Sequence, residues 1–262
     1  MFFASAFNNF LGKFNVPYMA LPFNLIAVTV FLTLQPDEAD QLQGGEEDWT
    51  GGGPGGDVAN SSSLLADVNT TVGEVSWSGL GRGVLVSMGQ VWAVNSVEAS
   101  CLINIAVLLS SPLLFLLSNL GAALGCLISL SFLPASEYPQ IYDGLWGYNA
   151  LLSMAAVSCV FFPLSPASLV AGTVNTAATV FIQRALAASL ARARLPVFTL
   201  PVTLCSLVFL LARQDRPGAQ LVRVTKMSYP ERQAVQASRL RRDLLQQQQR
   251  PEHKEELDPV LV

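Results

Sequence analysis

The residues with chemistry to offer in this chain are few, uncharged and tied to proline. Thr199 stands between prolines in Leu195-Pro-Val-Phe-Thr-Leu-Pro201, with Thr203 just after. An earlier stretch, Val16-Pro-Tyr-Met-Ala-Leu-Pro-Phe-Asn24, repeats the pattern 179 residues upstream, with Ala20 where the later copy has Thr199. Gln90, Asn149, Thr173, Asn175 and Thr176 are the other polar side chains lying in apolar surroundings. Hydroxyls and amides of this kind hydrogen-bond either a neutral solute or a neighbouring helix. Catalysis has little to work with. The single histidine, His253, lies in a polar tail, and Cys101, Cys126, Cys159 and Cys205 fall in apolar runs at no metal-ligand spacing. No nucleophile-base pair or metal set can be assembled from them. The sequence therefore predicts no enzyme, no metal and no cofactor.

The elements that position these residues are set by the same prolines. Two prolines five apart cannot both sit within one regular helix, because each removes a backbone donor and disfavours a helical residue before it. Each segment reads as a broken turn that ends in a helix start, with the second proline in the first helical turn. At membrane depth such irregular backbone persists only where protein or a wet cavity covers it. Two related copies point to an internally duplicated transporter with its site between the repeats. The echo extends weakly upstream, pairing Phe2 with Phe181, Leu11 with Leu190 and Lys13 with Arg192.

Composition places the chain in a bilayer. Of 262 residues, 51% are hydrophobic and 13% charged, and mean hydropathy is +0.43; soluble domains carry about 25% charged residues. The formal charge of −4 hides an asymmetry, acidic from Asp37 to Glu74 and basic from Arg184 onward. Nothing in that balance suggests a nucleic-acid partner.

Four regions follow. Residues 1–35 close a first membrane repeat. Residues 36–80 form an acidic, Gly-rich loop whose sequons at Asn60 and Asn69 place it outside the cell. Residues 81–213 form a second membrane repeat, divided at Ser110-Ser-Pro112, at Pro134 to Pro139 and at Phe162-Pro-Leu-Ser-Pro166. Gly121 and Gly125 give it a small-residue face for close helix packing. Residues 84–98 are too short to span and read as a re-entrant or interfacial helix. Residues 214–262 are a solvated cytoplasmic tail by their Lys and Arg content. Trp92, Trp146, Tyr142 and Tyr148 read as interfacial anchors or core aromatics. The centres of the spans hold no Asp, Glu or Lys, which argues for passive passage of a neutral solute rather than ion-coupled transport.

Several ordered motifs also resemble the urea transporter family. They are Leu195-Pro-Val-Phe-Thr-Leu-Pro201; Val75-Ser-Trp-Ser78 followed by Gly89-Gln90; Leu108-Leu-Ser-Ser-Pro-Leu113; Ile141-Tyr-Asp-Gly-Leu-Trp-Gly-Tyr-Asn149; and Lys226-Met-Ser-Tyr-Pro-Glu231. The resemblance implies an all-α, multi-pass membrane protein of the inverted-repeat urea transporter fold, assembled as a homotrimer in the plasma membrane with one pore per protomer. It implies facilitated, channel-like passage of urea through a slot with apolar faces and a ladder of oxygen acceptors. Urea is flat, neutral and rich in N–H donors, and stripping its water costs several kcal/mol unless acceptors replace it. By resemblance Thr199 sits at the constriction, Gln90 and Val91 begin the short pore helix of the second half, and Leu145 lines the slot. Ala20 stands where the first half has its threonine. The chain also resembles the family only from the end of the first half onward, so it reads as truncated at the N-terminus. A non-conducting membrane subunit, associating with full-length protomers through the faces at Gly121 and Ala167–Ala178, is the alternative from another class.

Overall fold

The computed structural model describes residues 2–13, 17, 19–34, 74–211, 224 and 228–249. The sequons Asn60 and Asn69, the Gly-rich loop and His253 lie outside them. The regular secondary structure of the described residues is all helical, with no strand among them. In chain order the helices are α1 (Phe2–Gly12), α2 (Leu21–Leu34), α3 (Trp77–Gln90), α4 (Val97–Ser110), α5 (Pro112–Leu130), α6 (Tyr138–Tyr142), α7 (Tyr148–Ala155), α8 (Pro166–Ala191), α9 (Leu200–Leu211) and α10 (Pro230–Gln249). A 3₁₀ turn over Ala135–Glu137 precedes α6, and a π turn over Ala156–Val160 extends α7.

Local sequence sets most of the boundaries. Serines cap α3, α4, α5 and α8: Ser76, Ser96, Ser111 and Ser165 each accept a hydrogen bond from a backbone N–H of the first turn. Pro112 and Pro166 open α5 and α8, where the missing N–H has no helical partner to lose. Ser111 thus ends one helix and starts the next.

Polarity is distributed as in a membrane protein. Leu102, Leu109, Val170 and Val208 are 69%, 81%, 65% and 64% exposed, whereas Ser87, Asn149, Ser153, Asn175, Thr176, Thr179, Thr203 and Ser206 are fully buried. No charged side chain is fully buried among the described residues. Helix α5, 19 residues with mean hydropathy 2.1, is the described helix that is both long and apolar enough to cross a bilayer alone. Helix α2 has 14 residues, about 21 Å of rise against a hydrocarbon core of about 30 Å. Such a helix must begin inside the protein, which is what the break before it provides.

The centre is a pair of tightly packed helices. A Cβ added at Gly121 would stand 2.6 Å from Met154 Cβ and 2.8 Å from the Ala150 carbonyl oxygen, so α5 lies directly on α7. Polar groups lock α7 to α8 and α9. Asn175 Nδ2 donates to Ser153 Oγ at 2.6 Å and to Ser206 Oγ at 3.1 Å, and Ser153 shares a 2.8 Å hydrogen bond with Thr179.

One expectation changes and two are sharpened. Residues 230–249, read as a solvated tail, form the helix α10. Its first turn is fixed by Glu231, which accepts from Ser111 Oγ at 2.6 Å and from the Leu113 N–H at 3.0 Å. Burial acts to raise the Glu231 carboxyl, but the hydrogen bonds from Ser111 and from the Glu231 and Leu113 backbone outweigh it and hold its pKa below the ordinary value. Trp146 is a core residue, 3% exposed, its indole N–H reaching Gln140 Oε1 at 3.2 Å. Gln90 and Val91 close a helix instead of opening one, because the Ser76 cap starts α3 seven residues before the apolar run at Val84.

Candidate functional site

Where both are described, the two proline-bearing breaks share a left-handed residue and a helix start at equivalent positions. Met19 and Phe198, 179 positions apart, both take a left-handed conformation, with φ of 49° and 47°. Neither is a glycine, so each is an uncommon and costly placement. The following residues, Ala20 and Thr199, end the break, and α2 and α9 begin at Leu21 and Leu200. One turn on, the side chain bonds back. Asn24 donates from its N–H and from Nδ2 to the Ala20 carbonyl, both at 2.9 Å. Thr203 donates from its N–H at 3.1 Å and its hydroxyl at 2.8 Å to the Thr199 carbonyl. Upstream, α1 ends at Gly12 and α8 at Ala191, again 179 apart.

The breaks face one another. Asn24, 3% exposed, donates from Nδ2 to Thr199 Oγ1 at 3.2 Å, and Thr199 Oγ1 lies 3.4 Å from Asn24 Oδ1. The Phe198 ring meets Phe23 and Phe31 edge-on, at centroid distances of 5.7 and 5.6 Å. A polar side chain and aromatic edges therefore converge where the repeats touch.

The second break is held from behind by the start of α7. Phe198 carbonyl oxygen accepts from Tyr148 Oη at 2.6 Å and from Asn149 Nδ2 at 3.0 Å. Asn149 Nδ2 also reaches Gln183 Oε1 at 3.1 Å, and Gln183 Nε2 donates to the Leu145 carbonyl at 2.8 Å. Gln90 Nε2 donates to the Asp143 carbonyl at 2.7 Å, and Arg82 pairs with Asp143 Oδ1 at 2.7 Å. Gly144 makes this corner possible. Its φ is +77°, and a Cβ there would lie 2.6 Å from the Ser87 N, so only glycine fits without strain.

The five residues that the resemblance assigns to the path lie as follows. Leu145 is in the connection between α6 and α7 and exposed. Gln90 is bonded to it, and Val91 packs in the cluster that contains Tyr148, Met88 and Leu151. Thr199 follows the carbonyl that the start of α7 grips, and Ala20 is reached from Thr199 through Asn24. Three contributors were missed: Asn24, Gln183 and Tyr148 as a hydrogen-bond donor. Asn24 was visible as the residue equivalent to Thr203; Gln183 carried no signal beyond being an amide near the end of an apolar run. Conversely, Thr173 and Thr176 bond only back to their own helix, at the Leu169 and Gly172 carbonyls, and Asn175 serves helix packing.

The family described as urea transporter matches residues 1–214. The chain belongs to the urea transporter family. Among curated relatives, urea transporter 1 of Capra hircus is 27% identical over 238 residues, covering 89% of this chain and 56% of that protein. Urea transporter 1 of Rattus norvegicus is 26% identical over the same shares. This urea transporter homologue therefore spans about half the length of the curated relatives it matches.

Proposed function

We propose that this chain carries urea passively across the plasma membrane, as part of a homotrimer, along a path past Thr199, Gln90, Val91, Leu145 and Ala20. The observation that carries the reading is the meeting of two equivalent breaks at the Thr199 hydroxyl, in an interior where no charged side chain is fully buried among the described residues. A hydroxyl accepts from urea N–H without selecting for charge. Apolar aromatic edges suit the faces of a planar solute. An interior without fully buried carboxylate or ammonium groups offers nothing for a proton or sodium ion to drive.

The test is urea efflux from proteoliposomes carrying the chain, compared with its Thr199→Val variant, which keeps the shape and removes the hydroxyl. An unmet N–H costs about 1–3 kcal/mol, so efflux should fall roughly tenfold, and an imposed proton gradient should leave the rate unaltered. Efflux no faster than from protein-free vesicles defeats the reading, as does an unchanged rate in Thr199→Val.

A further inference from the structure

In this structure the Thr199 hydroxyl is already occupied. Asn24 Nδ2 donates to Thr199 Oγ1 at 3.2 Å while Asn24 Oδ1 stands 3.4 Å from the same oxygen. The orientation of the amide is fixed, because the other hydrogen of Nδ2 goes to the Ala20 carbonyl at 2.9 Å; a flipped amide would set oxygen against oxygen. The group on Thr199 is a carboxamide, O=C–NH₂, which is one half of a urea molecule. It comes from the opposite repeat, from a residue 3% exposed.

We propose that Asn24 is a side-chain gate, an internal stand-in for urea that holds the Thr199 hydroxyl and is displaced when solute passes. This rests on the reading of Thr199 as part of the path. The repeat explains why the gate is one-sided. The residue equivalent to Asn24 is Thr203, whose hydroxyl bonds back to the Thr199 carbonyl at 2.8 Å. Threonine there is too short to cross to the other break, whereas asparagine bonds back and crosses. At the position equivalent to Thr199, Ala20 offers only a methyl, so the first repeat presents no hydroxyl to be gated.

The experiment exchanges Asn24 for the residue the second repeat uses. Asn24→Thr keeps the back-bond to Ala20 and removes the reach to Thr199, so α2 retains its start. Two quantities are read in proteoliposomes: urea efflux, and the rate at which N-ethylmaleimide labels a Thr199→Cys chain with and without Asn24→Thr, after subtracting labelling of the chain that retains Thr199. Release of one neutral hydrogen bond should raise both rates, roughly fivefold. Unchanged labelling overturns the gate, and so does slower efflux in Asn24→Thr. If neither chain moves urea, the transport reading fails by itself and the labelling rate still decides: faster labelling keeps the gate, and equal labelling removes it.

Discussion

The two breaks share a left-handed residue and a helix start and differ in what surrounds them. The first, at Met19-Ala20, feeds a helix whose side chains are largely exposed: Phe23, Leu25, Ile26, Val30 and Leu32 all lie at the surface. The second, at Phe198-Thr199, feeds α9, where Pro201, Val202, Thr203, Cys205, Ser206 and Leu210 are buried. The same left-handed residue, helix start and back-bond recur in both settings. A conformation that costs about 1–3 kcal/mol is kept only where its surroundings over-determine it. In the second copy those surroundings are Tyr148 and Asn149, which grip the carbonyl of the strained residue itself. The comparison therefore separates the device, which is local and duplicated, from its support, which differs between the two copies.

Removing that support should affect one copy alone. Asn149 is fully buried and joins Phe198 to Gln183. Asn149→Leu leaves Gln183 Oε1 without this donor and the Phe198 carbonyl with Tyr148 alone, and one unmet buried group costs about 1–3 kcal/mol. Thermal unfolding in detergent should shift down accordingly. Amide exchange should quicken at residues 198–203 with little change at residues 20–24. Equal loss of protection in both breaks would mean that they are one mechanical unit rather than a copied device on two supports.

Tyr148→Phe is the milder version. It removes one of the two donors to the Phe198 carbonyl and leaves Asn149 in place. A single neutral hydrogen bond with a surviving alternative partner is worth about 1 kcal/mol. The expected result is a small drop in melting temperature and faster exchange at residues 198–200. A loss as large as that of Asn149→Leu would make the Tyr148 hydroxyl the main support of the break, and no change would leave the residue only its ring's packing with Met88 and Leu151.

What was legible before the structure follows the same division. The positions of the breaks, the start of α9 at Leu200 and the interruption at Ser111-Pro112 were readable because proline acts on its own backbone. The left-handed residues were not, because neither methionine nor phenylalanine signals that conformation. Helix α3 was missed in its first half because Gly79, Gly81 and Gly83 weaken helix propensity. The structure shows the use of two of them. A Cβ at Gly79 would meet the Tyr142 ring at 2.9 Å, and one at Gly83 would collide with the Ile141 carbonyl oxygen. Trp146 was open between interface and core because its position depends on a distant small-residue face at Gly125. The docking of α10 rests on Glu231 meeting Ser111 and Leu113, far away in sequence, and no local pattern announces such a pair.

The smallest effect gives the finest test of equivalence between the copies. Ala20→Thr restores to the first break the residue that the second carries. The second break already accommodates a β-branched side chain directly after a left-handed residue, and Ala20 is only partly buried. If the backbones are equivalent, the change should stay within about 0.5 kcal/mol, the range of an unstrained substitution. The melting temperature should then hold. The new hydroxyl adds one acceptor across from Thr199, and at the low end of a neutral hydrogen bond, about 0.5 kcal/mol, urea efflux should rise about twofold. Efflux without change would confine the path to the second repeat's oxygen. A melting temperature lowered by many degrees would show that the first break cannot hold a branched side chain, and that the resemblance between the copies ends at φ.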